Sequence, residues 1–461
     1  MKKIVIAGAS GFIGRYLIEY LLDNTNHKII GLSRTQKISH HDRLEWKRCD
    51  LFSVKEIEDV LNGAHASFYL VHSMQPSAHL DQADFIDYDL ILADNFGRAA
   101  QKMGVQKTIY LSGLMPSKKV LSKHLLSRLE VEEALKEYIP TYVFLRAGLI
   151  LGKDGSSFNI LINLVKRLPI AICPAWINNT TSPVHYSVVV KALGVALESD
   201  EHDRKVIDLC SEENLTYLEL LKLTAQLLGY RRIFIQCPFN LLFLSRLWVS
   251  YISGASKMLV YPLLESLSHN MVARDEYKMK QIPLLSVEES LQQVVHSLGD
   301  DKYSFSNRIP QRNTVRSIQR FILPTGMNGN DIAAEYMAWL PKFLYPFVLV
   351  DVIDHEWVYF SFVTRKIRLL TLKRSISRSS EDRALFYIKG GILASQHDNG
   401  RLEFRAVLNN RYALAAIHEF KPALPWYIYR YTQAFFHLIV MKSFGRHLEK
   451  LSRESSNASA K

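Results

Sequence analysis

The feature that most constrains the fold of this chain is a turn with three glycines, directly after its first apolar run (residues 3–7). The run predicts a buried strand, and residues 14–22 carry apolar side chains at helical spacing. In a strand–turn–helix unit such glycines permit a tight turn, close approach of the backbone to a pyrophosphate, and close packing of the helix on the strand. We therefore predict a dinucleotide-binding loop formed by Gly8, Ser10, Gly11, Phe12, Ile13 and Gly14.

The alternation of strands and helices continues to about residue 150. Short apolar runs predict strands at 3–7, 27–32, 67–72, 108–112 and 142–146. Between them, helical spacing predicts helices at 14–22, 54–61, 84–103 and 123–138. This order predicts an α/β fold, a Rossmann-type doubly wound parallel sheet, for residues 1–150.

Residues 151–300 are expected to form a small substrate lobe that completes this domain, with helices at 159–167, 186–198 and 217–228. The segment 240–267 is unusually apolar but carries Arg246 and Lys257. Two interpretations remain open for it: helices packed inside the lobe, or a surface that meets a membrane or a lipid-like substrate.

The pattern changes after a polar stretch at 300–312, which we interpret as a linker. Runs typical of antiparallel strands lie at 357–363, 367–372, 383–388, 400–408 and 411–420, and residues 425–451 have helical spacing. We therefore predict an α+β domain at 313–451, with an antiparallel sheet and a long C-terminal helix. Residues 452–461 are expected to be a disordered tail.

The basic charge lies almost entirely in the last third of the chain. Residues 301–461 hold 24 Lys and Arg against 13 Asp and Glu, whereas residues 1–300 hold 33 against 32. The excess is compatible with a solvated surface, an acidic ligand or peripheral contact with an anionic membrane. Arg365, Lys366 and Arg368 alternate with apolar residues like the solvent face of a strand, so we expect no nucleic acid partner.

Other features narrow the class of protein. No apolar run is long enough for a membrane-spanning helix, and the four cysteines are scattered, which predicts neither a disulfide framework nor a metal site. We therefore expect a cytoplasmic protein, with peripheral membrane contact as an option.

The second strand indicates which dinucleotide is bound. It ends in Ser33 and Arg34, where an NAD-preferring site would place an acidic residue for the adenine ribose. A guanidinium suits a 2′-phosphate, so we expect NADP(H) rather than NAD(H). A further short strand, the third along the chain, is expected just before Cys49; after it, Asp50 could accept a hydrogen bond from the adenine while Leu51 packs on its ring.

With these residues in view, the first 300 positions resemble the extended and atypical short-chain dehydrogenase/reductases, particularly the NmrA-like NAD(P)-binding proteins. The resemblance rests on the glycine loop, the Asp50–Leu51 pair, the run from Tyr69 to Met74, the run from Ala93 to Phe96, and the run from Leu145 to Gly148. It implies further cofactor contacts from Val71, His72 and Asn95.

Residues 313–450 resemble the C-terminal domain that accompanies such Rossmann domains in some bacterial proteins. The run from Pro425 to Ala434, followed by His437, carries this resemblance. Its order of strands and then a helix looks like a helix-grip (START-like) fold, which implies a cavity for a hydrophobic ligand.

The catalytic residues of the family do not all recur. Its active members use a Ser or Thr at the end of the fifth strand and a Tyr-x-x-x-Lys on the next helix. Ser112 stands at the first position, but His124 and Arg128 occupy the tyrosine and lysine positions. Histidine could donate the proton, with its proton affinity lowered by Arg128, which would also hold the nicotinamide ribose. Alternatively the pair is a remnant in which Arg128 pairs with Glu132.

Two functional hypotheses follow from this departure. One is an NADP(H)-dependent oxidoreductase that acts on a hydrophobic small molecule, with Ser112, His124 and Arg128 as its catalytic residues. The other is a non-catalytic NADP(H)-binding sensor or scaffold, which engages a partner or membrane surface through its basic C-terminal domain. The sequence indicates neither the substrate nor the oligomeric state.

Overall fold

The computed structural model of the chain has two compact units, one comprising Met1–Gln75 with Asp89–Asn307, the other Pro76–Tyr88 with Arg308–Lys461. The structure describes residues 1–72, 80–116, 121–274, 279, 282–298, 314–363, 365–395 and 400–459, with side chains up to residue 455. The linker predicted at 300–312, and Ser73 and Met74 of the run quoted above, lie outside these ranges.

The strands of the described residues are β1 (Lys3–Ala7), β2 (Lys28–Ser33), β3 (Leu44–Arg48), β4 (Ala66–Tyr69), β5 (Leu80–Gln82), β6 (Lys107–Gly113), β7 (Thr141–Ala147), β8 (Ile150–Leu151), β9 (Ile170–Cys173), β10 (Thr180–Thr181), β11 (Val184–His185), β12 (Lys205–Leu209), β13 (Leu215–Thr216), β14 (Ile233–Gln236), β15 (Val315–Ile322), β16 (Val348–Ile353), β17 (Trp357–Phe362), β18 (Ile367–Arg374), β19 (Arg383–Gly390), β20 (Arg401–Val407) and β21 (Tyr412–Phe420).

The α-helices of the same residues are α1 (Phe12–Asn24), α2 (Val54–Leu61), α3 (Phe85–Lys102), α4 (Lys123–Tyr138), α5 (Ser156–Arg167), α6 (Tyr186–Glu198), α7 (Tyr217–Leu227), α8 (Leu242–Ser253), α9 (Lys257–Leu267), α10 (Val287–Ser297), α11 (Gly329–Phe343), α12 (Trp426–Tyr431) and α13 (Gln433–Ser459).

The N-terminal unit is built on a seven-stranded sheet of the described residues, in the order β12-β7-β6-β4-β1-β2-β3. Every neighbouring pair is parallel, which confirms the predicted doubly wound fold. The strand order reverses between β1 and β4, and ligands of open α/β sheets bind outside the carboxyl ends of the strands at such a point. One predicted strand is too long, because β4 ends at Tyr69 and leaves Val71 and His72 in the segment that follows.

Close backbone approach shapes the turn after β1. Gly8 has a φ of +87°, and a methyl group there would lie 2.6 Å from the carbonyl oxygen of Leu70. A methyl group at Gly14 would lie 2.3 Å from the carbonyl oxygen of Gly8. Because only a hydrogen fits at either position, α1 starts directly against the end of β1, as the glycine pattern predicted.

Residues beyond 150 contribute to the core of the sheet domain. β12 pairs with β7, and α6 packs on α1. Residues 151–300 therefore do not form a separate layer: they supply the last strand and one covering helix of the Rossmann core as well as a lobe. Helical spacing predicted α6. The five-residue strand β12 was missed because its apolar pattern is too short to distinguish a strand from a loop.

The lobe has its own apolar core, which contains buried side chains of α5, α7, α8, α9 and α10. The predicted helices at 159–167, 186–198 and 217–228 correspond to α5, α6 and α7. The apolar segment 240–267 forms α8 and α9, and Gly254 ends α8 in the left-handed conformation. Val249 and Leu264 point into the lobe core, so the packed-helix interpretation is correct for one side of this helix pair.

The C-terminal unit contains a sheet with the order β16-β17-β18-β19-β20-β21-β15-β5. All its neighbouring pairs are antiparallel except β15–β5. Buried side chains of α11 and α13 form one core with it, and the ring of Phe444 lies 5.1 Å from that of Tyr336. This confirms the predicted antiparallel-sheet domain with a long C-terminal helix.

Two features of this unit differ from the predictions. Helix α13 continues to Ser459, so the tail expected to be disordered from residue 452 is helical through most of its length. In addition, β5 comes from the segment before α3 and pairs in parallel with β15, and Asp87 on the same segment accepts a 2.7 Å bond from Arg320. The pairing of β5 with β15 was not predicted, because the two strands are more than two hundred residues apart and hydrophobic periodicity reports only local structure.

Among the described residues, no helix combines the length and the apolar character that crossing a bilayer requires.

We predict that Gly8→Ala destabilises the chain by at least about 3 kcal/mol, because a positive φ and a backbone clash act together. Gly63→Ala is the matched control: its φ is +71°, but no atom lies within 4 Å of the added methyl group, so it should cost only about 1 kcal/mol. Urea unfolding of both variants measures the difference. Equal losses would show that the close approach to Leu70 contributes nothing.

Candidate dinucleotide and catalytic site

The carboxyl edge of the parallel sheet brings together the ends of several strands. The glycine turn follows β1, Ser33 ends β2, Asp50 follows β3, and His72 lies shortly after β4. Ser112 lies near the end of β6. Because all these strands run parallel, residues far apart in the sequence share one edge.

The glycine turn has the form of an anion site. Gly11 precedes α1 without any side-chain hydrogen bond to the helix start, and the first turn of α1 contains no acidic residue. Its N–H groups and the helix dipole therefore favour a negatively charged ligand. Ser10 and Gly11 are exposed, whereas Ile13 is buried in the core, so Ile13 can contact a ligand only through its backbone. The Phe12 ring packs near Tyr16 and Tyr186.

The residues predicted around the adenine lie at the ends of β2 and β3. Ser33 is buried and its hydroxyl accepts from the N–H of Thr35, whereas Arg34 is exposed. Asp50 accepts a 3.2 Å hydrogen bond from the N–H of Phe52, which fixes its carboxylate in the loop.

Asn95 has a different place from the one that the resemblance implied. Its side chain is fully buried on α3, and its amide donates a 3.0 Å hydrogen bond to the carbonyl oxygen of Leu51. It therefore holds the loop that carries Asp50 and Leu51 from behind, and it does not present its amide at the surface.

The predicted catalytic residues lie on β6 and α4. Ser112 is buried, and its hydroxyl has no hydrogen-bond partner within the part of the chain that the structure describes. α4 passes close to the end of β6, where the side chain of Arg128 lies beside Gly113. Arg128 donates a 3.2 Å hydrogen bond to the hydroxyl of Tyr110. The interpretation in which Arg128 pairs with Glu132 is wrong, because Glu132 forms a buried salt bridge of 2.6 Å with Arg146.

A second histidine joins this group. The rings of His72 and His124 are 5.3 Å apart, and His72 Nδ1 lies 2.7 Å from Asp89 Oδ2. Asp89 is buried on α3 and also accepts a 2.8 Å bond from the Ser127 hydroxyl. His72 Nε2 is buried without a partner among the described residues. The sequence analysis did not single out Asp89. The pattern that could have indicated it is an acidic residue on the apolar face of the helix predicted at 84–103.

Both imidazoles are held neutral. Burial lowers the pKa of His72, and the charge of Arg128 lowers it further, against the opposing effect of Asp89. Burial also lowers the pKa of His124 well below its usual value, with His72 and Arg128 adding to the effect. The predicted influence of Arg128 on His124 therefore has the expected sign, but burial is the larger cause. Nδ1 of His124 lies 3.1 Å from the Ser266 hydroxyl on α9.

The arrangement fits proton transfer at a polar substrate group. Asp89 favours the His72 tautomer that carries its hydrogen on Nδ1, which leaves Nε2 as a proton acceptor. Ser112 has a free hydroxyl that can donate a hydrogen bond to a substrate oxygen. No cluster of three or more potential metal ligands occurs in the described ranges.

Comparisons with known proteins agree with this fold. Residues 4–115 match the sequence model of the NAD dependent epimerase/dehydratase family. The chain is 32% identical over 111 residues to the auxiliary protein GraX of Staphylococcus aureus, a match that covers 24% of this chain and 36% of GraX. The chain thus spans only about a third of the length of that relative. The family match supports the predicted resemblance of the N-terminal region to NAD(P)-binding Rossmann proteins of the short-chain dehydrogenase/reductase type.

Two further comparisons extend over more of the chain. NADH dehydrogenase (ubiquinone) 1 alpha subcomplex subunit 9 of Mus musculus is 22% identical over 261 residues, which are 54% of this chain and 67% of that protein. The triphenylmethane reductase of Citrobacter sp., solved in complex with NADP(H), superposes with a TM-score of 0.52 at 16% identity and covers 64% of this chain and 100% of the reductase. This structural likeness establishes a shared fold.

We predict that His124→Gln makes stability less dependent on pH. Because the pKa of His124 is lowered in the folded state, the unfolded chain takes up a proton below about pH 6.5 while the folded chain stays neutral. The wild type should therefore lose about 1 kcal/mol more than the variant between about pH 7.5 and 5.5. Chemical unfolding at both pH values measures this.

His40→Gln, a change at an exposed loop residue, is the control and should keep the wild-type pH dependence. Parallel stability curves for the wild type and His124→Gln would contradict the neutral, buried state of His124.

Proposed function

We propose that the chain is an NADP(H)-dependent oxidoreductase that acts on an apolar small molecule. The observation that carries the proposal is the glycine turn, where Gly8 and Gly14 leave no room for a side chain and the start of α1 lacks a side-chain cap. Such a cradle fits a pyrophosphate, because backbone N–H groups can approach it directly. The match of residues 4–115 to an NAD-dependent family supports the same ligand class.

The preference for NADP(H) rests on the end of β2. Arg34 is exposed beside the buried Ser33, and no acidic residue occurs among residues 31–36 to accept hydrogen bonds from the ribose hydroxyls. A guanidinium and a hydroxyl at this position favour a 2′-phosphate. The NADP(H) complex of the Citrobacter reductase, which has the same fold, is consistent with this preference.

We predict that NADPH binds the wild type more tightly than NADH, and that Arg34→Ala removes at least about tenfold of this preference by deleting a charge-assisted contact. Lys55→Ala, which removes an exposed cation on α2, is the matched control and should keep the preference. Titration calorimetry with both nucleotides measures the ratio. Equal affinities in the wild type would refute the preference, and absence of binding would refute the whole proposal.

Side chains of this protein would transfer the proton that accompanies hydride transfer. When bound, the nicotinamide supplies or accepts the hydride. The Ser112 hydroxyl, which has no partner among the described residues, would donate a hydrogen bond to the substrate oxygen. In substrate oxidation His72 Nε2 would accept the proton of the substrate hydroxyl while Asp89 holds the ring. In substrate reduction the same nitrogen would take up a proton from solvent and pass it to the substrate oxygen. The ring of His124 lies beside that of His72. The guanidinium of Arg128, which bonds the Tyr110 hydroxyl, supplies a positive charge near both histidines.

The C-terminal unit has an element order that suits an apolar ligand of its own. The order β15, α11, six antiparallel strands β16–β21 and α13, with β15 beside β21, is the order of a helix-grip fold. We assign that fold to this unit as part of the proposal, with an apolar ligand as its expected occupant.

A second candidate function is non-catalytic NADP(H) sensing. One observation favours it: the guanidinium of Arg128 bonds the Tyr110 hydroxyl, so the group in the lysine position is engaged inside the protein. In that case the dinucleotide binds, and no substrate turns over.

We predict that Ser112→Ala and His72→Gln each lower kcat by about a hundredfold against apolar ketones, enones and quinones, and that Ser112→Ala changes NADPH affinity little. His41→Ala, at an exposed loop position, should leave the rate unchanged. Steady-state NADPH oxidation measures both effects. Tight NADPH binding without turnover of any of these compounds by the wild type would favour the sensing function instead.

A further inference from the structure

The lobe of the N-terminal unit exposes a row of isoleucines. β9 and β14 form a parallel pair in which Ile233 lies opposite Ile170, and Ile235 lies opposite Ile172. All four side chains are exposed, with Ile172 at 60%, whereas Ala171 and Cys173 on the opposite side are buried in the lobe core. A two-stranded sheet with both of its faces apolar needs a second contact beyond its own core.

Helix α8 continues this exposed apolar surface. Phe243, Leu244, Leu247 and Tyr251 recur at helical spacing and are exposed, Phe243 at 73% and Tyr251 at 85%. α8 lies beside the two strands, since Trp248 lines the same small cavity of about 40 Å³ as Ile172 and Phe234. We call the exposed side chains of β9, β14 and α8 the apolar face. Scattered exposed apolar residues are ordinary, but a contiguous set on neighbouring elements marks an interaction surface.

The segments that form the apolar face are rich in cations, and Lys222 and Arg231 line a pocket together with Phe234 of β14. No aspartate or glutamate occurs between Asp154 and Glu198, or between Glu219 and Glu265, and these two stretches contain α5, β9, β14, α8 and most of α9. The same stretches carry exposed cations at Lys166, Arg167, Lys222, Arg231 and Lys257. The sequence predicted the basic excess in residues 301–461, so this cationic rim on the other unit was not expected from net charge.

We infer that the apolar face docks on the surface of an anionic lipid bilayer. Aromatic and aliphatic side chains would enter the boundary between headgroups and acyl chains, while the surrounding lysines and arginines meet lipid phosphates. A second copy of the chain is the weaker occupant, because pairing of two identical faces would bring the two cationic rims together. α8 has 12 residues and α9 has 11, which is too short to span a bilayer, so the contact is peripheral.

This face lies on the lobe that flanks the candidate site. α8 packs on α9, and Ser266 of α9 contacts His124 and Ser122. The docking proposal does not depend on turnover, and it can be tested without any nucleotide.

The test is co-sedimentation of the full-length chain with phosphatidylcholine vesicles, with and without about 30 mol% phosphatidylglycerol. We expect binding to the anionic vesicles and at least about tenfold weaker partitioning of Phe243→Ser/Tyr251→Ser, because two large apolar side chains are lost. Lys166→Gln/Arg231→Gln should weaken it by about 25-fold, since each cation near the surface contributes about fivefold. Both pairs of changes lie on the surface, and circular dichroism checks that the variants fold.

Two control variants lie in the other unit. Ile376→Ser removes an exposed apolar side chain, and Lys366→Gln/Arg368→Gln removes exposed cations of the basic C-terminal region. Both should bind vesicles like the wild type. The inference is overturned by absence of binding to anionic vesicles or by loss of binding only in the Lys366→Gln/Arg368→Gln variant. It is also overturned if light scattering shows a dimer that Phe243→Ser/Tyr251→Ser dissociates and vesicles do not bind.

Discussion

The N-terminal unit depends on the absence of two methyl groups at the turn after β1. Because Gly14 lies against the carbonyl of Gly8, α1 packs on the sheet at a distance that no other residue allows. α1 in turn packs on α6, which comes from beyond residue 180, and the Phe12 ring lies near Tyr186 at the start of α6. The glycine turn therefore also positions α1 for its contact with α6, the covering helix that residues beyond 150 supply to the Rossmann core.

A buried carboxylate organises the other half of the candidate site. Asp89 contacts His72 on one side and Ser127 on the other, so it links α3, α4 and the segment after β4. Its effect on His72 is smaller than that of burial, and both histidines remain neutral. A neutral imidazole with a fixed tautomer suits proton exchange near pH 7 better than a permanent imidazolium would.

The sequence predicted the features that depend on neighbouring residues, and it missed most of those that depend on contacts between distant segments. The glycine turn, the alternating strands and helices, and the antiparallel strands after residue 357 are local patterns, and the structure has them within a few residues of the predicted bounds. β15, β16 and α11 were missed, and so were the pairings of β12 with β7 and of β5 with β15, which join distant segments. At the site, the family resemblance pointed to Ser112 and His124, and the predicted strand and helix that carry them are present. Asp89 and the true partner of Arg128 required the packing of α3 on α4 and of α4 on β6, which periodicity does not report.

The excursion of the chain into the second unit bears on how the protein is assembled. β5 is made early, yet the strand that it pairs with begins at Val315, and Asp87 finds its ion partner at Arg320. At a translation speed of roughly 5–20 residues per second, a nascent chain waits on the order of ten seconds or more before β15 emerges from the ribosome. Until then the three residues of β5 have no partner strand with which to form backbone hydrogen bonds. The C-terminal unit therefore cannot complete its sheet from residues 308–461 alone, because β15 must pair with β5, which left the ribosome much earlier.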